Sequence, residues 1–211
     1  MGGADPMRLV QVAGWLGSGK TTLIIALSKG LSRKGVKVAI LVNEIGAIPV
    51  DGRVIQDYGL TVKDIGGGCI CCQMAGSMMK TLKLLREGPN PDIVILEPTG
   101  IAVPHAVKEM ILSMAPSREI SLGPTIVLFD TTRAAKLLGY ETLQRVITTQ
   151  LQDADIIALS KSDAIADEAF AKAGEAVRVI NPRAQIIRLS VTNGDGMAEL
   201  TQAVEEMTVP V

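Results

Sequence analysis

Aromatic side chains are nearly missing: the 211 residues include one Trp, two Tyr and two Phe. A core for a chain of this length must be built from Val, Ile, Leu, Ala and Met. An excess of charge of either sign is missing too. Lys plus Arg number 21 against 22 for Asp plus Glu, and no basic run occurs, so neither nucleic acid nor an anionic membrane surface is an expected partner. Long apolar runs are absent. Stretches such as Ile93-Val94-Ile95-Leu96 fall well short of the ~18 residues of a membrane span. The opening residues 1–6 contain no apolar stretch of a secretory signal and are expected to be a disordered segment or tag remnant. Together these absences point to a cytoplasmic protein with one domain over 7–211.

Cysteine is scarce, and all three copies, Cys69, Cys71 and Cys72, fall within four residues. Such spacing cannot staple distant parts of a fold, which excludes a disulfide framework. Reduced thiols remain, as metal ligands, as a redox element or as ordinary buried residues. Histidine occurs once, at His105.

Along the chain, apolar runs alternate with segments of helical period. That pattern predicts an α/β fold, a single P-loop NTPase domain with a mostly parallel sheet and helices on both faces. Strands are expected at about 9–13, 36–42, 93–96, 126–129, 156–159 and 185–189. The first helix should cover about 20–34, with Leu23, Leu27 and Leu31 inward and Gly35 as its stop. A second should follow the cysteines with Met74, Met78, Leu82 and Leu85 on one face. The last should carry Met197, Leu200, Val204 and Met207. The polar stretch from Asn43 to Tyr58 reads as a mobile loop.

Gly14-Trp15-Leu16-Gly17-Ser18-Gly19-Lys20-Thr21 fits G-x-x-x-x-G-K-[ST] between a strand and a helix. Glycines at Gly14, Gly17 and Gly19 let backbone N–H groups turn inward around oxyanions, and the helix adds its positive end. With Ser18 and Thr22 these residues form the expected phosphate cradle. Lys20 would reach the β- and γ-phosphates, and the Thr21 hydroxyl would hold Mg²⁺. A Rossmann loop is excluded because Thr22 occupies the place of the third glycine. Glu97, ending the apolar strand 93–96 before Pro98-Thr99-Gly100, is placed to hold Mg²⁺ through water or to sense the γ-phosphate.

Ser160-Lys161-Ser162-Asp163 follows another apolar strand, where guanine-specific relatives of this fold use N-K-x-D. The Asp163 carboxylate would accept from guanine N1 and N2, and the Lys161 stem would lie over the base. Ser160 stands in place of Asn, the residue that supports the loop. Ser190, ahead of Gly194-Asp195-Gly196, belongs to the loop expected on the other side of the base. GTP is therefore expected over ATP.

Taken in order, Gly14–Thr22, Asn43-Glu44-Ile45-Gly46 with Asp51, Gly68-Cys69-Ile70-Cys71-Cys72 and Glu97-Pro98-Thr99-Gly100 resemble the CobW family of GTPases, relatives of the nickel-insertion GTPases for hydrogenase and urease. The resemblance covers about 7–207. It implies a metallochaperone: GTP and Mg²⁺ bind, a transition metal (Zn²⁺ or Co²⁺) sits on Cys69, Cys71 and Cys72, and slow hydrolysis is tied to delivery to a client metalloprotein or cofactor-dependent enzyme. Glu44, His105 or water would complete the metal's ligands, and Glu44 or Asp51 would position the attacking water, beside Lys20 and Glu97 as catalytic groups. A homodimer through the nucleotide face is implied as well. Family members usually continue into a C-terminal domain, which this chain is expected to lack. Two other readings stay open: an ATP-using small-molecule kinase, and a regulatory GTPase whose cysteines are redox-active or structural.

Overall fold

A computed structural model describes residues 6–42, 61–64, 72–114 and 119–207, with the backbone alone for 61–64, 72–77 and 114. Strands β1 (Met7–Gly14), β2 (Val38–Val42), β3 (Thr61–Asp64), β4 (Ile93–Glu97), β5 (Ile120–Asp130), β6 (Ile156–Ser160) and β7 (Gln185–Arg188) form one sheet. Its order is β3-β2-β4-β1-β5-β6-β7, and every pairing is parallel. The helices among the described residues are α1 (Lys20–Arg33), α2 (Cys72–Glu87), α3 (Pro104–Met114), α4 (Ala134–Gly139), α5 (Glu141–Gln152), α6 (Asp167–Ile180) and α7 (Met197–Glu206).

Strand alternation sends neighbouring residues to opposite faces, and both faces are covered. Val10, Val12, Ile93, Ile95, Ile156 and Ala158 pack with Leu23, Leu27 and Leu31 of α1 and Leu200 and Val204 of α7. On the other face Leu9, Val94 and Leu96 meet Met78, Leu82 and Leu85 of α2 and Ile111 of α3. Further along that face Val127, Ile157 and Leu159 meet Leu137, Ile147 and Leu151 of α4 and α5 and Val177 of α6. These clusters are mainly aliphatic, with Phe129 a buried aromatic member of the last. Helix α1 stops where expected. Gly35 takes φ +84°, and the Gly35 and Val36 N–H groups return to the Ser32 and Leu31 carbonyls, closing the end with a left-handed glycine.

Two features depart from the sequence expectations. Strand β5 is eleven residues long, where 126–129 was predicted; Gly123-Pro124, a dipeptide of turn propensity, lies inside it. The pairing instead absorbs it as a bulge: Leu9 faces Leu122 but Gln11 faces Thr125. Pro124 contributes no N–H to the ladder, and a Cβ at Gly123 would lie 2.8 Å from Val10 Cγ2. The second departure is β3, a four-residue edge strand with too few apolar residues to show a period. The expected mobile loop at 43–58 lies outside the described residues.

Candidate functional site at the carboxyl ends of the strands

Strand β1 sits between β4 and β5, with β2 and β3 on one side and β6 and β7 on the other. Connections therefore diverge at the end of β1, the position where open α/β sheets leave a crevice. The loop that fills it runs from Gly14 to Gly19. Gly14 has φ +137°, and a Cβ there would lie 2.5 Å from the Leu128 carbonyl oxygen, so only glycine fits. Gly19, at φ +101°, precedes the first turn of α1. Lys20 opens that helix and is buried. The Thr21 hydroxyl points at Glu97, 3.3 Å from each carboxylate oxygen, and Glu97 is itself buried. This convergence of hydroxyl and carboxylate oxygens is a donor set suited to a hard divalent cation such as Mg²⁺. Thr22 faces solvent.

The segment Ser160–Asp163 is tied to the phosphate loop. Ser160, at the end of β6, is buried, and its hydroxyl donates to the Ser18 carbonyl at 3.0 Å. Ser160 thus joins this segment to the phosphate loop, at the position where N-K-x-D carries Asn. Lys161 adopts a left-handed backbone conformation at φ +60° and donates to the Gly17 carbonyl at 2.9 Å. Asp163 follows in a short 3₁₀ turn, Ser162–Ala164, and is exposed. The Ser162 N–H donates to the Leu189 carbonyl, which brings the 190–196 loop alongside. Ser190 is buried and accepts from the Asn193 N–H at 3.4 Å, so its hydroxyl shapes that loop.

A buried carboxylate unforeseen from the sequence organises the arrangement. Asp130 ends β5 beside Ser160 and is fully enclosed. It accepts from Lys161 Nζ at 2.7 Å, Arg133 Nε at 2.8 Å, and the Thr132 N–H and hydroxyl at 3.1 and 2.6 Å. Burial alone would push its carboxyl up; the hydrogen bonds from Lys161, Thr132 and Arg133 and the Lys161 charge outweigh that and hold it below the usual range. Arg133 Nη2 continues to the Leu16 carbonyl at 2.9 Å. A signal for Asp130 exists: an acidic residue closing an apolar strand, as Glu97 does. Gln150 of α5 was also missed. Its amide donates to the Gly100 and Ala102 carbonyls at 3.1 and 3.0 Å, steadying the turn after Glu97.

Removal of the Ser160 hydroxyl tests the bridge between the two loops. Ser160→Ala is expected to weaken nucleotide binding by about 1 kcal/mol, a roughly fivefold loss measurable by calorimetry, because the Ser18 carbonyl loses a buried donor.

Residues 8–188 match the family profile described as CobW/HypB/UreG, nucleotide-binding domain. The chain belongs to this family. It carries the family's nucleotide-binding domain. The zinc chaperone YeiR of Escherichia coli is 37% identical over 156 residues, covering 72% of this chain and 45% of that protein. The zinc chaperone YjiA of the same organism is 30% identical over 197 residues, covering 90% and 59%. Among solved structures, Zn(II)-bound YjiA GTPase from E. coli superposes with a TM-score of 0.66 at 27% identity, covering 91% and 59%. HypB from Helicobacter pylori in complex with nickel shares the fold, with a TM-score of 0.69 at 19% identity over 97% of this chain and 91% of that one. The chain spans about half the length of the zinc chaperones it matches.

Of the CobW-family positions singled out in the sequence, Glu44, Asp51, Cys69 and Cys71 lie outside the described residues. Cys72 is the first residue of α2, described there by its backbone alone. His105 lies in the first turn of α3, because Pro104 starts that helix at a position where no N–H is required. Its Nε2 is 3.1 Å from Glu109 Oε1, and its backbone N–H donates to Asp153 Oδ2. No helix among the described residues is long and apolar enough to cross a membrane.

Proposed function

We propose that this chain is the GTP-hydrolysing domain of a zinc-handling metallochaperone, in which Cys69, Cys71 and Cys72 hold the metal and the nucleotide sets their state. Lys20 and the phosphate-loop N–H groups bind the polyphosphate, Thr21 and Glu97 hold Mg²⁺, and Asp163 reads guanine. Bound Mg²⁺ supplies charge neutralisation of the phosphates during hydrolysis. Glu97 also orients water near the γ-phosphate, with Glu44 or Asp51 as the further candidates for that task.

One observation carries the coupling. Val42 at the end of β2 pairs with Glu97 of β4 on one side and with Asp64 of β3 on the other. Strand spacing then puts Asp64 about 10 Å from Glu97. The seven residues joining Asp64 to the first residue of α2 carry Cys69 and Cys71. Both ends of the cysteine segment therefore belong to the nucleotide side of the sheet, so ordering around a γ-phosphate can reach the thiolates over a short path. Zinc is preferred over cobalt because the relatives YeiR, YjiA and CobW are named as zinc chaperones. The client is a metalloprotein or metal-cofactor enzyme that accepts the released ion.

The test is a Zn²⁺ titration of the reduced protein with Mg²⁺, in the presence and absence of a non-hydrolysable GTP analogue. Affinity is expected to rise roughly tenfold with the analogue, a coupling of ordinary allosteric size. Replacing all three cysteines by serine should abolish the response. Equal zinc affinities in the two arms would sink the coupling.

A further inference from the structure

Two successive carbonyls of the phosphate loop are held by cations that share one anchor. Leu16 O accepts from Arg133 and Gly17 O from Lys161, and both cations bond the same oxygen of Asp130. The other Asp130 oxygen is taken by Thr132. The guanidinium is fixed at both ends of its planar fork: Nε bonds the carboxylate and Nη2 the Leu16 carbonyl. Its side chain is 34% exposed while the carboxylate is fully enclosed, so the aim of Arg133 is set from inside the protein.

The consequence follows from peptide geometry. No cis peptide occurs among the described residues, and in a trans peptide the N–H points opposite the carbonyl. With Leu16 O on Arg133, the Gly17 N–H must face away from Arg133. Gly17 is exposed and has φ +75°, so intrinsic backbone preference leaves this peptide easy to turn over. A turned peptide would present a carbonyl dipole to the phosphates. A charge-assisted bond on the carbonyl opposes that turn by roughly tenfold to a hundredfold in population. It also polarises the amide and strengthens the Gly17 N–H as a donor.

We propose that Arg133, aimed by Asp130, is a positioning residue of the phosphate loop: it holds the Leu16–Gly17 peptide with its N–H turned toward the polyphosphate of the bound nucleotide. The inference rests on the GTP-hydrolysing function proposed above. In hydrolysis the bond from the β–γ bridging oxygen to the γ-phosphorus breaks, water oxygen bonds that phosphorus, its proton passes to phosphate, and GDP leaves. Negative charge grows on the leaving diphosphate, so a donor fixed toward the polyphosphate is proposed to act more on the transition state than on ground-state binding.

The experiment uses the whole chain with Arg133→Ala, Arg133→Gln and Arg133→Lys. Alanine and glutamine are expected to lower kcat for GTP about tenfold to a hundredfold with KM within about threefold, and lysine to recover part of the loss, as expected for a group acting mainly on the transition state. The Gly17 amide ¹⁵N resonance, read without nucleotide, should move upfield in the alanine and glutamine variants while those of Gly30 and Gly174 stay in place. An unmoved Gly17 resonance, or kcat and KM both at native values, overturns the inference. If the native chain fails to hydrolyse GTP, the functional proposal is what fails, and the Gly17 resonance alone then decides the role of Arg133.

Discussion

Lys20→Ala is expected to reduce GTP hydrolysis by about a hundredfold to a thousandfold, the size measured when one preorganised donor to a developing charge is removed. Lys20 is 6% exposed and opens α1 directly after the left-handed Gly19. Its ammonium therefore lies in a confined place, where its field on a phosphate is screened far less than at a surface. The Gly14 and Gly19 conformations that aim the backbone N–H groups do not depend on Lys20, so GDP should still bind, though more weakly. Arginine should not restore the activity, because a planar guanidinium does not reproduce a compact ammonium at a buried position. Steady-state phosphate release and calorimetry with GTP and Mg²⁺ measure both quantities. Hydrolysis within tenfold of the native rate would show that another cation serves the phosphates.

The second large effect concerns the base. Asp163→Asn is expected to weaken GTP binding by about 1.5–3 kcal/mol, roughly tenfold to 150-fold, as a hydrogen bond to a charged acceptor is lost. The substitution should also raise affinity for xanthosine triphosphate. Xanthine presents one N–H donor and one carbonyl acceptor where guanine presents two donors, and a carboxamide matches that pair. The backbone around position 163 is secured by Lys161 at φ +60° and by the Ser162 N–H on the Leu189 carbonyl. The exchange therefore changes the chemistry of the side chain and leaves the loop in place. Competition between the two triphosphates, measured on native and variant protein, reads the switch. A variant that still prefers GTP as strongly as the native chain would remove Asp163 from the base site.

How readable each part was depended on how far apart its residues lie in the chain. The strand preceding Gly14 and the helix starting at Lys20 were legible because a contiguous motif carries its own geometry: glycines for the turn, then a helix N-terminus. The inward leucines of α1 were legible for the same local reason. Strand β3 was not, because Thr61–Asp64 is too short and polar to show a period. The first half of β5 was hidden by Gly123-Pro124, whose turn propensity is overridden by pairing with β1 across a bulge. Ser160 was legible as a replaced support residue, but its bond to Ser18 spans 142 positions and could not be inferred from spacing.

The sequence by itself determined the phosphate-loop motif at Gly14–Thr21, the Ser160–Asp163 segment on which guanine is expected, and the crowding of three thiols into one short segment. Those properties reside in residue types at fixed local separations. Only the tertiary structure decided that Asp130 gathers Arg133 and Lys161 onto the Leu16 and Gly17 carbonyls, and that β2, β3 and β4 end in register at Val42, Asp64 and Glu97. Strand order determines these proximities, and strand order is settled by which faces bury together across the whole sheet.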